Sequence, residues 1–179
     1  MKKLFLLLFT TVCSLGAFAQ TGDLSVGATG GYITKYKDLM YGFNIGYHVT
    51  DPLELNFTGL MNPSMTEENE TFLPGDKFSR KIKMYSTNLD IRYYMVLQRD
   101  WATGPFIGGQ YSYLDRKDLD SVTNEQYKLN VAGFNVGWHL RINLTDNLKI
   151  NGGWRYTMAN QNSSHHVFYL GLGYTLNVF

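Results

Sequence analysis

The chain has 179 residues, with 16 Lys and Arg against 15 Asp and Glu, so its formal net charge is +1. Because it has no basic excess, we predict that it does not bind nucleic acid. Aromatic residues make up 15% of the chain, and there are 18 Gly but only 4 Pro, a balance that favours strands over disorder. The length suits one domain.

The N-terminus has the parts of a secretory signal peptide. Met1-Lys2-Lys3 is basic, an apolar run follows, and Ala17-Phe18-Ala19 is a small-x-small cleavage signal. We therefore predict a signal peptide at 1–19 and a mature domain at 20–179. The apolar run is too short to span a bilayer as a helix. The single Cys13 lies inside this segment, so no disulfide is expected in the mature domain.

Eight segments of the mature domain alternate large apolar residues with small or polar ones. This is the period of a strand whose two faces meet different surroundings, and no segment has a helical period over a useful length. We predict eight strands. In chain order the segments are 24–32, 41–49, 53–61, 85–95, 105–113, 132–144, 148–158 and 168–179.

The connections between these segments alternate between short and long. The short ones are built from turn-forming residues and the long ones are more polar. The short set is 50–52, 97–104 and 145–147; the long set is 34–40, 62–81, 115–126 and 159–166. In an up-and-down meander the short turns then share one end, with both termini, and the long loops share the other. Outer-membrane barrels have this asymmetry.

The face opposite the apolar positions is polar and charged. A soluble lipocalin-like barrel would turn the apolar face inward around a ligand, whereas a membrane barrel turns it outward to lipid. Secretion, the loop asymmetry and aromatic residues near both strand ends favour the membrane. The aromatic residues are Tyr47, Tyr93 and Tyr174 at the short-turn end, and Tyr32, Tyr113, Tyr156 and Phe168 at the other. We predict an all-β, eight-stranded antiparallel up-and-down transmembrane β-barrel, with a soluble secreted barrel as the alternative.

On these features, with the segment Gly171-Leu172-Gly173-Tyr174-Thr175-Leu176 and the terminal Phe179, the chain resembles a known family. It is similar to the small outer-membrane β-barrels of Gram-negative bacteria, of the OmpX and OmpA types. It is more similar to the "porin family" barrel proteins of Bacteroidetes-like bacteria. The resemblance covers the mature chain and implies this fold, a location in the cell outer membrane, and recognition of the last strand by barrel-insertion machinery. It implies little about activity.

Phe179 departs from the family pattern. The apolar positions of the last segment are even-numbered, so Phe179 is out of phase with Tyr174 and Leu176. Either a bulge lies near the end of the strand, or the working signal ends at Leu176 and a short tail follows.

Charged residues in the polar phase predict a network inside the barrel. An eight-stranded barrel is just wide enough to be filled by its own side chains, and buried charges need partners. The predicted lumenal polar network comprises Glu54, Asp90, Arg92, His139, Arg141 and Arg155. In it, the two carboxylates pair with the arginines. Two interpretations are open: a plug that seals the barrel, and a narrow gated ion path.

Ser163-Ser164-His165-His166 is the one cluster of Ser and His, and it falls in a predicted external loop. Residues adjacent in sequence seldom form a catalytic pair. The side chains of His165 and His166 would point opposite ways on a strand end, and two ligands are too few for a structural metal site. We therefore expect no catalytic residue, no cofactor, no metal and no enzymatic activity.

The longest predicted loop, 62–81, carries an acidic run, a basic run and apolar residues. Loops presented by a rigid scaffold commonly carry function. We predict an integral outer-membrane barrel with a structural or surface-interaction role. Its expected partners are outer-membrane lipid and lipopolysaccharide, the insertion machinery through the C-terminal strand, and a surface protein through the 62–81 loop. The alternatives are a minor porin for small solutes or ions, and a lipid A-modifying enzyme.

Overall fold

A computed structural model of the protein describes residues 22–70, 77–118, 126–160 and 163–177. The predicted signal peptide and Phe179, with its phase break, lie outside the described residues. Within them, no helix is long and apolar enough to cross a membrane.

Eight long strands and one short one form a single sheet. Their bounds are β1 Asp23–Ile33, β2 Asp38–Thr50, β3 Leu53–Glu70, β4 Lys77–Tyr93, β5 Met95–Gln98, β6 Trp101–Asp118, β7 Gln126–Asn143, β8 Leu148–Ala159 and β9 His165–Asn177. Consecutive long strands pair antiparallel, β4 pairs with β6, and β1 pairs with β9, which closes the sheet. The predicted eight-stranded antiparallel up-and-down barrel is thereby confirmed, with the short β5 as an addition.

The closing seam joins the first and last strands in one continuous register. Asp23 lies opposite Asn177 and Ile33 opposite Val167, so both ends of the described chain meet at the short-turn end. Outward residues match outward residues along this seam, as Leu24 does with Leu176. Because a slip of one residue would exchange the two faces of β9, the polarity of each face specifies this register.

The predicted 62–81 loop is wrong over much of its length, and the predicted 115–126 loop is wrong at its two ends. β3 runs to Glu70, β4 starts at Lys77, β6 runs to Asp118 and β7 starts at Gln126. The pairing of β3 with β4 shifts between Asn62 and Met65. This bulge changes the inward phase of β3 from even to odd numbers, so a simple period-two pattern stops at the bulge although the strand continues.

The boundaries at the short-turn end also need correction. β4 ends at Tyr93 rather than at Met95, and Met95 begins β5, which pairs with the start of β6. The predicted 97–104 connection is therefore a turn at 99–100 flanked by strand residues. β3 begins only at Leu53, opposite Tyr93, so the chain beyond Tyr93 has only β6 as a strand neighbour.

The barrel rim is uneven at the long-loop end. β3, β4, β6 and β7 have 17 or 18 residues, whereas β1, β2, β8 and β9 have 11 to 13. Since the strands rise about 3.4 Å per residue, the longer four stand well above the other four. We call the parts of these four strands that project beyond the ends of the other four the extended wall.

The outer face carries an apolar band between aromatic residues, as a lipid-facing barrel requires. Large side chains exposed along its middle include Phe43, Leu89, Ile107, Leu170 and Leu172. Tyr32 and Phe168 are exposed at the long-loop end, and Tyr93 and Tyr174 at the short-turn end. The apolar phase of the strands therefore faces outward.

The interior has two layers rather than the uniformly polar lumen that the sequence predicts. Toward the long loops it is mainly apolar, with Asn62, Ser163 and His165 as buried polar residues among the apolar ones. This apolar cap consists of Ile33, Tyr36, Met40, Leu60, Met65, Ile82, Met84, Leu114, Val131 and Val167. Each of these is at most 5% exposed. The layer toward the short turns is polar, and it contains the candidate site.

Candidate functional site

The polar layer is built from inward positions on all eight long strands. Its residues are buried although they are polar, which calls for hydrogen-bond and charge partners inside the barrel. Of the predicted network, Glu54, Asp90, Arg92, His139 and Arg155 are buried, and Arg141 is half-buried. The structure arranges them in two groups, one around each carboxylate.

Glu54 on β3 is the centre of the first group. Arg92, directly opposite on β4, places Nη1 3.4 Å from Glu54 Oε1. The hydroxyl of Tyr94 donates to Glu54 Oε2 at 3.1 Å, and Asn56 Nδ2 donates to Oε1 at 3.2 Å. Both carboxylate oxygens are therefore held by donors, which offsets the cost of burying the charge.

His48 joins this group to Arg141. Its Nε2 lies 3.2 Å from Glu54 Oε2 and 2.7 Å from Arg141 Nη1. A ring nitrogen that donates to the carboxylate cannot also accept from the guanidinium. The tautomer of His48 therefore decides which of the two contacts is a hydrogen bond.

Asp90 on β4 is the centre of the second group, and it is 0% exposed. Arg155 on β8 forms a salt bridge with it across the lumen. Asn135 Nδ2 donates to Asp90 Oδ1 at 3.2 Å and to Asn88 Oδ1 at 3.0 Å. The hydroxyl of Thr157 extends this chain by a contact to Asn135 Oδ1 at 2.8 Å. These bonds tie β4, β7 and β8 together through the barrel.

Arg92 and Arg155 approach the same two aromatic rings, which brings the two groups together. Their guanidinium carbons lie 5.8 and 5.5 Å from the ring centre of Phe106, and 5.9 and 5.6 Å from that of Tyr169. Gly137 makes room for Phe106, because a Cβ at that position would come within 2.4 Å of the ring. Cation–π contacts of this kind favour a buried guanidinium.

His139 and Arg141 lie near Glu54 without touching either carboxylate. His139 packs edge-on against Tyr94, with ring centres 4.2 Å apart, and neither of its ring nitrogens has a hydrogen-bond partner among the described residues. Arg141 lies over the Tyr94 ring at 4.1 Å. Arg141 is thus linked to Glu54 indirectly, through His48 and through the Tyr94 ring.

Sequence reasoning missed His48, Tyr94 and Tyr169 as members of the network. Their positions in the sequence could have identified them, because each lies at an inward position of its strand or two residues after a predicted member of the network. Tyr94 follows Arg92 by two positions and Tyr169 is odd-numbered on β9. A tyrosine near a strand end is equally consistent with a position at the membrane interface. The sequence alone therefore does not distinguish the tyrosines that point into the lumen from those at the rim.

The Ser163–His166 cluster is only partly a loop. His165 and His166 begin β9, which corrects the predicted 159–166 loop. The buried His165 places Nδ1 2.7 Å from the Ser163 carbonyl, while the exposed His166 stacks on Tyr156, with ring centres 4.6 Å apart. The two rings face opposite sides of the strand. Among the described residues, no group of three or more His, Cys, Asp or Glu is arranged to hold a metal ion.

A lipid-facing barrel with a self-paired interior defines the class of the protein: it is an integral β-barrel of the bacterial outer membrane. The chain belongs to the outer membrane protein beta-barrel domain family, whose model matches residues 5–175. This match confirms the fold and the outer-membrane location that the sequence resemblance implied. No curated protein matches the chain.

Solved structures share the fold at low sequence identity. A major outer membrane protein from Thermus thermophilus is similar at 14% identity and a TM-score of 0.65, over 88% of this chain and 100% of that one. Pseudomonas aeruginosa OprG has 13% identity and a TM-score of 0.64, over 88% and 97%. The attachment invasion locus protein Ail of Yersinia pestis has 15% identity and a TM-score of 0.53, over 87% and 97%. At these identities the likeness concerns the fold alone.

Proposed function

We propose that the protein is a sealed barrel that serves a structural and surface-interaction role in the outer membrane. The apolar cap carries this proposal. Ten buried residues close the long-loop half of the lumen, and the paired charges fill the other half. Moving an ion through the cap would require desolvating it among Met, Leu, Ile and Val side chains, which is very costly. The polar layer accordingly acts as a plug rather than as an ion path.

Planar-bilayer recording tests the seal. Wild-type protein is expected to give no steady single-channel conductance. The double variant Met40→Ser with Met84→Ser, which admits water into the cap, is expected to conduct. Met61→Ser with Met158→Ser is the matched control, because these methionines are exposed on the lipid face. Steady ohmic steps from wild-type protein would support the minor porin instead.

Unchanged lipid A mass spectra in a deletion strain are expected if the enzyme alternative is wrong.

The extended wall supports the surface-interaction role. Lys81 on β4 lies directly opposite Lys117 on β6, and one row nearer the membrane Asp115 lies between Lys83 and Lys128. Like charges directly opposite on neighbouring strands are destabilising unless an anion screens them. These outward lysines lie just beyond the Tyr85–Tyr113 pair of the barrel rim, at the level where phosphate groups of lipopolysaccharide are expected.

We expect Lys81→Gln with Lys117→Gln to weaken binding of the detergent-solubilised barrel to immobilised lipopolysaccharide by about 2 kcal/mol, since each basic residue near an anionic surface contributes about 1 kcal/mol. Surface plasmon resonance measures the change. Lys37→Gln with Arg99→Gln removes the same charge from exposed sites outside the wall and should have little effect. Equal losses for both pairs would show that only net charge matters.

The last strand supports the proposed recognition by insertion machinery. β9 presents Leu172, Tyr174 and Leu176 on its outward face and pairs with β1 from Val167 to Asn177. Until β9 pairs with β1, its edge is open to another partner. A surface protein partner for residues 62–81 is part of the same proposal. It would meet the extended wall, because β3 and β4 occupy most of that range.

A further inference from the structure

A small cavity lies in the polar layer, below the apolar cap. Its lining residues are Thr29, Asn44, Thr58, Leu60, Arg92, Asn151, Arg155 and Tyr169. The cavity volume is about 10 Å³, room for one small particle such as a water molecule or a monatomic ion. Two guanidinium groups line it, and no carboxylate among the described residues does. The chemistry of its wall is therefore that of an anion site.

Several donors around the cavity have no protein acceptor. The Nε atoms of Arg92 and Arg155 and the hydroxyl of Tyr169 are buried without a hydrogen-bond partner among the described residues. Arg92 and Arg155 are 3% and 1% exposed, so bulk water does not serve these groups. Buried donors of this kind ordinarily have a partner, and a bound anion or an ordered water supplies one.

The charge balance of the polar layer favours an anion over a water molecule as the occupant of the cavity. Of the described side chains, the buried carboxylates are Glu54 and Asp90, and the buried cations are Arg92, Lys149 and Arg155. The half-buried Arg141 adds a further positive charge to the same layer. Glu54 pairs with Arg92 and Asp90 with Arg155, so the excess positive charge of the layer is that of Lys149 and Arg141, which lie outside the cavity lining. In a medium of low dielectric constant such an excess attracts a counter-ion over several ångströms.

We propose that this cavity binds one small monovalent anion, a halide such as chloride, held by Arg92, Arg155 and the hydroxyl of Tyr169. Sulfate, phosphate and gluconate are too large for the cavity. The anion completes the plug by neutralising part of the positive excess while adding hydrogen-bond acceptors. The proposal deepens the proposed sealed barrel by naming a ligand of its lumen, and it rests on that seal.

Bromide tests the site, because it is a chloride-like anion with a distinct anomalous signal. Crystals of the whole barrel grown in sodium bromide are expected to show an anomalous peak in the cavity. In solution, the urea midpoint of unfolding should rise saturably with bromide but not with gluconate at equal ionic strength. Tyr169→Phe should raise the half-saturating bromide concentration about tenfold, since a hydrogen bond to a charged group is lost.

Tyr47→Phe is the matched control. It also removes a buried hydroxyl without a partner among the described residues, but that hydroxyl does not line the cavity. An unchanged half-saturating concentration in this variant is expected. Water without anomalous signal at saturating bromide would overturn the proposal, as would equal bromide dependence of wild-type protein and Tyr169→Phe. The anomalous peak is measured on wild-type protein, so this test does not depend on the folding of a variant. A conducting wild-type barrel, by contrast, would contradict the seal even if bromide were found in the cavity.

Discussion

Asp90→Asn is expected to lower the free energy of unfolding by about 3–5 kcal/mol, because it leaves the buried Arg155 without its carboxylate. Asn has nearly the same shape as Asp, so the loss reports the charge rather than a cavity. Asp90 is fully buried, and its other contact, to Asn135, is a neutral donor that cannot replace the salt bridge. Urea unfolding of the barrel in lipid vesicles, followed by tryptophan fluorescence, measures the change.

Two further variants show whether the loss comes from this pair. Asp100→Asn removes a carboxylate from an exposed turn and is expected to change stability by less than about 0.5 kcal/mol. Asp90→Asn combined with Arg155→Gln leaves no unpaired charge and should recover part of the loss. If the double variant lost the sum of the two single effects, the two side chains would not be coupled, and the pairing would be contradicted.

Leu89→Arg is expected to destabilise the membrane-inserted barrel by about 2–4 kcal/mol, the cost of a basic residue at the middle of the bilayer. Leu89 is 59% exposed on the outer face of β4, with Tyr85 and Tyr93 four residues away on either side. Its position midway between these aromatic rings places it near the bilayer midplane. The same equilibrium unfolding in vesicles, with heat-dependent gel mobility as a second readout, measures the effect.

Tyr93→Arg is the control for depth. Tyr93 lies on the same face of the same strand, at the short-turn rim, where a basic residue costs about 0–1 kcal/mol. The contrast between the two variants is specific to a lipid environment. A soluble barrel would expose both side chains to water, and Leu89→Arg would then cost no more than Tyr93→Arg.

The extended wall shows where sequence patterns stop being sufficient. The alternation predicts β3 only to Met61, because the bulge between Asn62 and Met65 shifts the phase of the inward residues. Beyond the bulge, Met65 lies opposite Ile82 and both are 0% exposed. The inward residues of β3 are therefore odd-numbered there, although they are even-numbered up to Asn62. A bulge is defined by its partner strand, so a single strand's sequence does not reveal it.

The apolar cap and the network illustrate the same limit inside the barrel. Met40 and Met84 occupy the inward phase, where the sequence pattern predicts polar residues throughout. Their apolar character is visible in the sequence, but only the sheet register places these two residues with Leu60 and Leu114 in one cluster. His48 and Tyr94 likewise occupy inward positions, and their roles depend on how far their side chains reach across the lumen toward Glu54.

The number of long strands, the two faces of each and the membrane class can be read from the amino-acid sequence alone. These follow from local properties, because a strand alternates its faces every residue and a turn shows its own composition. The pairing of the charges, the level at which the interior changes from polar to apolar, and the height of each strand require the three-dimensional structure. They depend on the register between strands and on contacts across the lumen, where residues far apart in sequence, such as Asp90 and Arg155, come together.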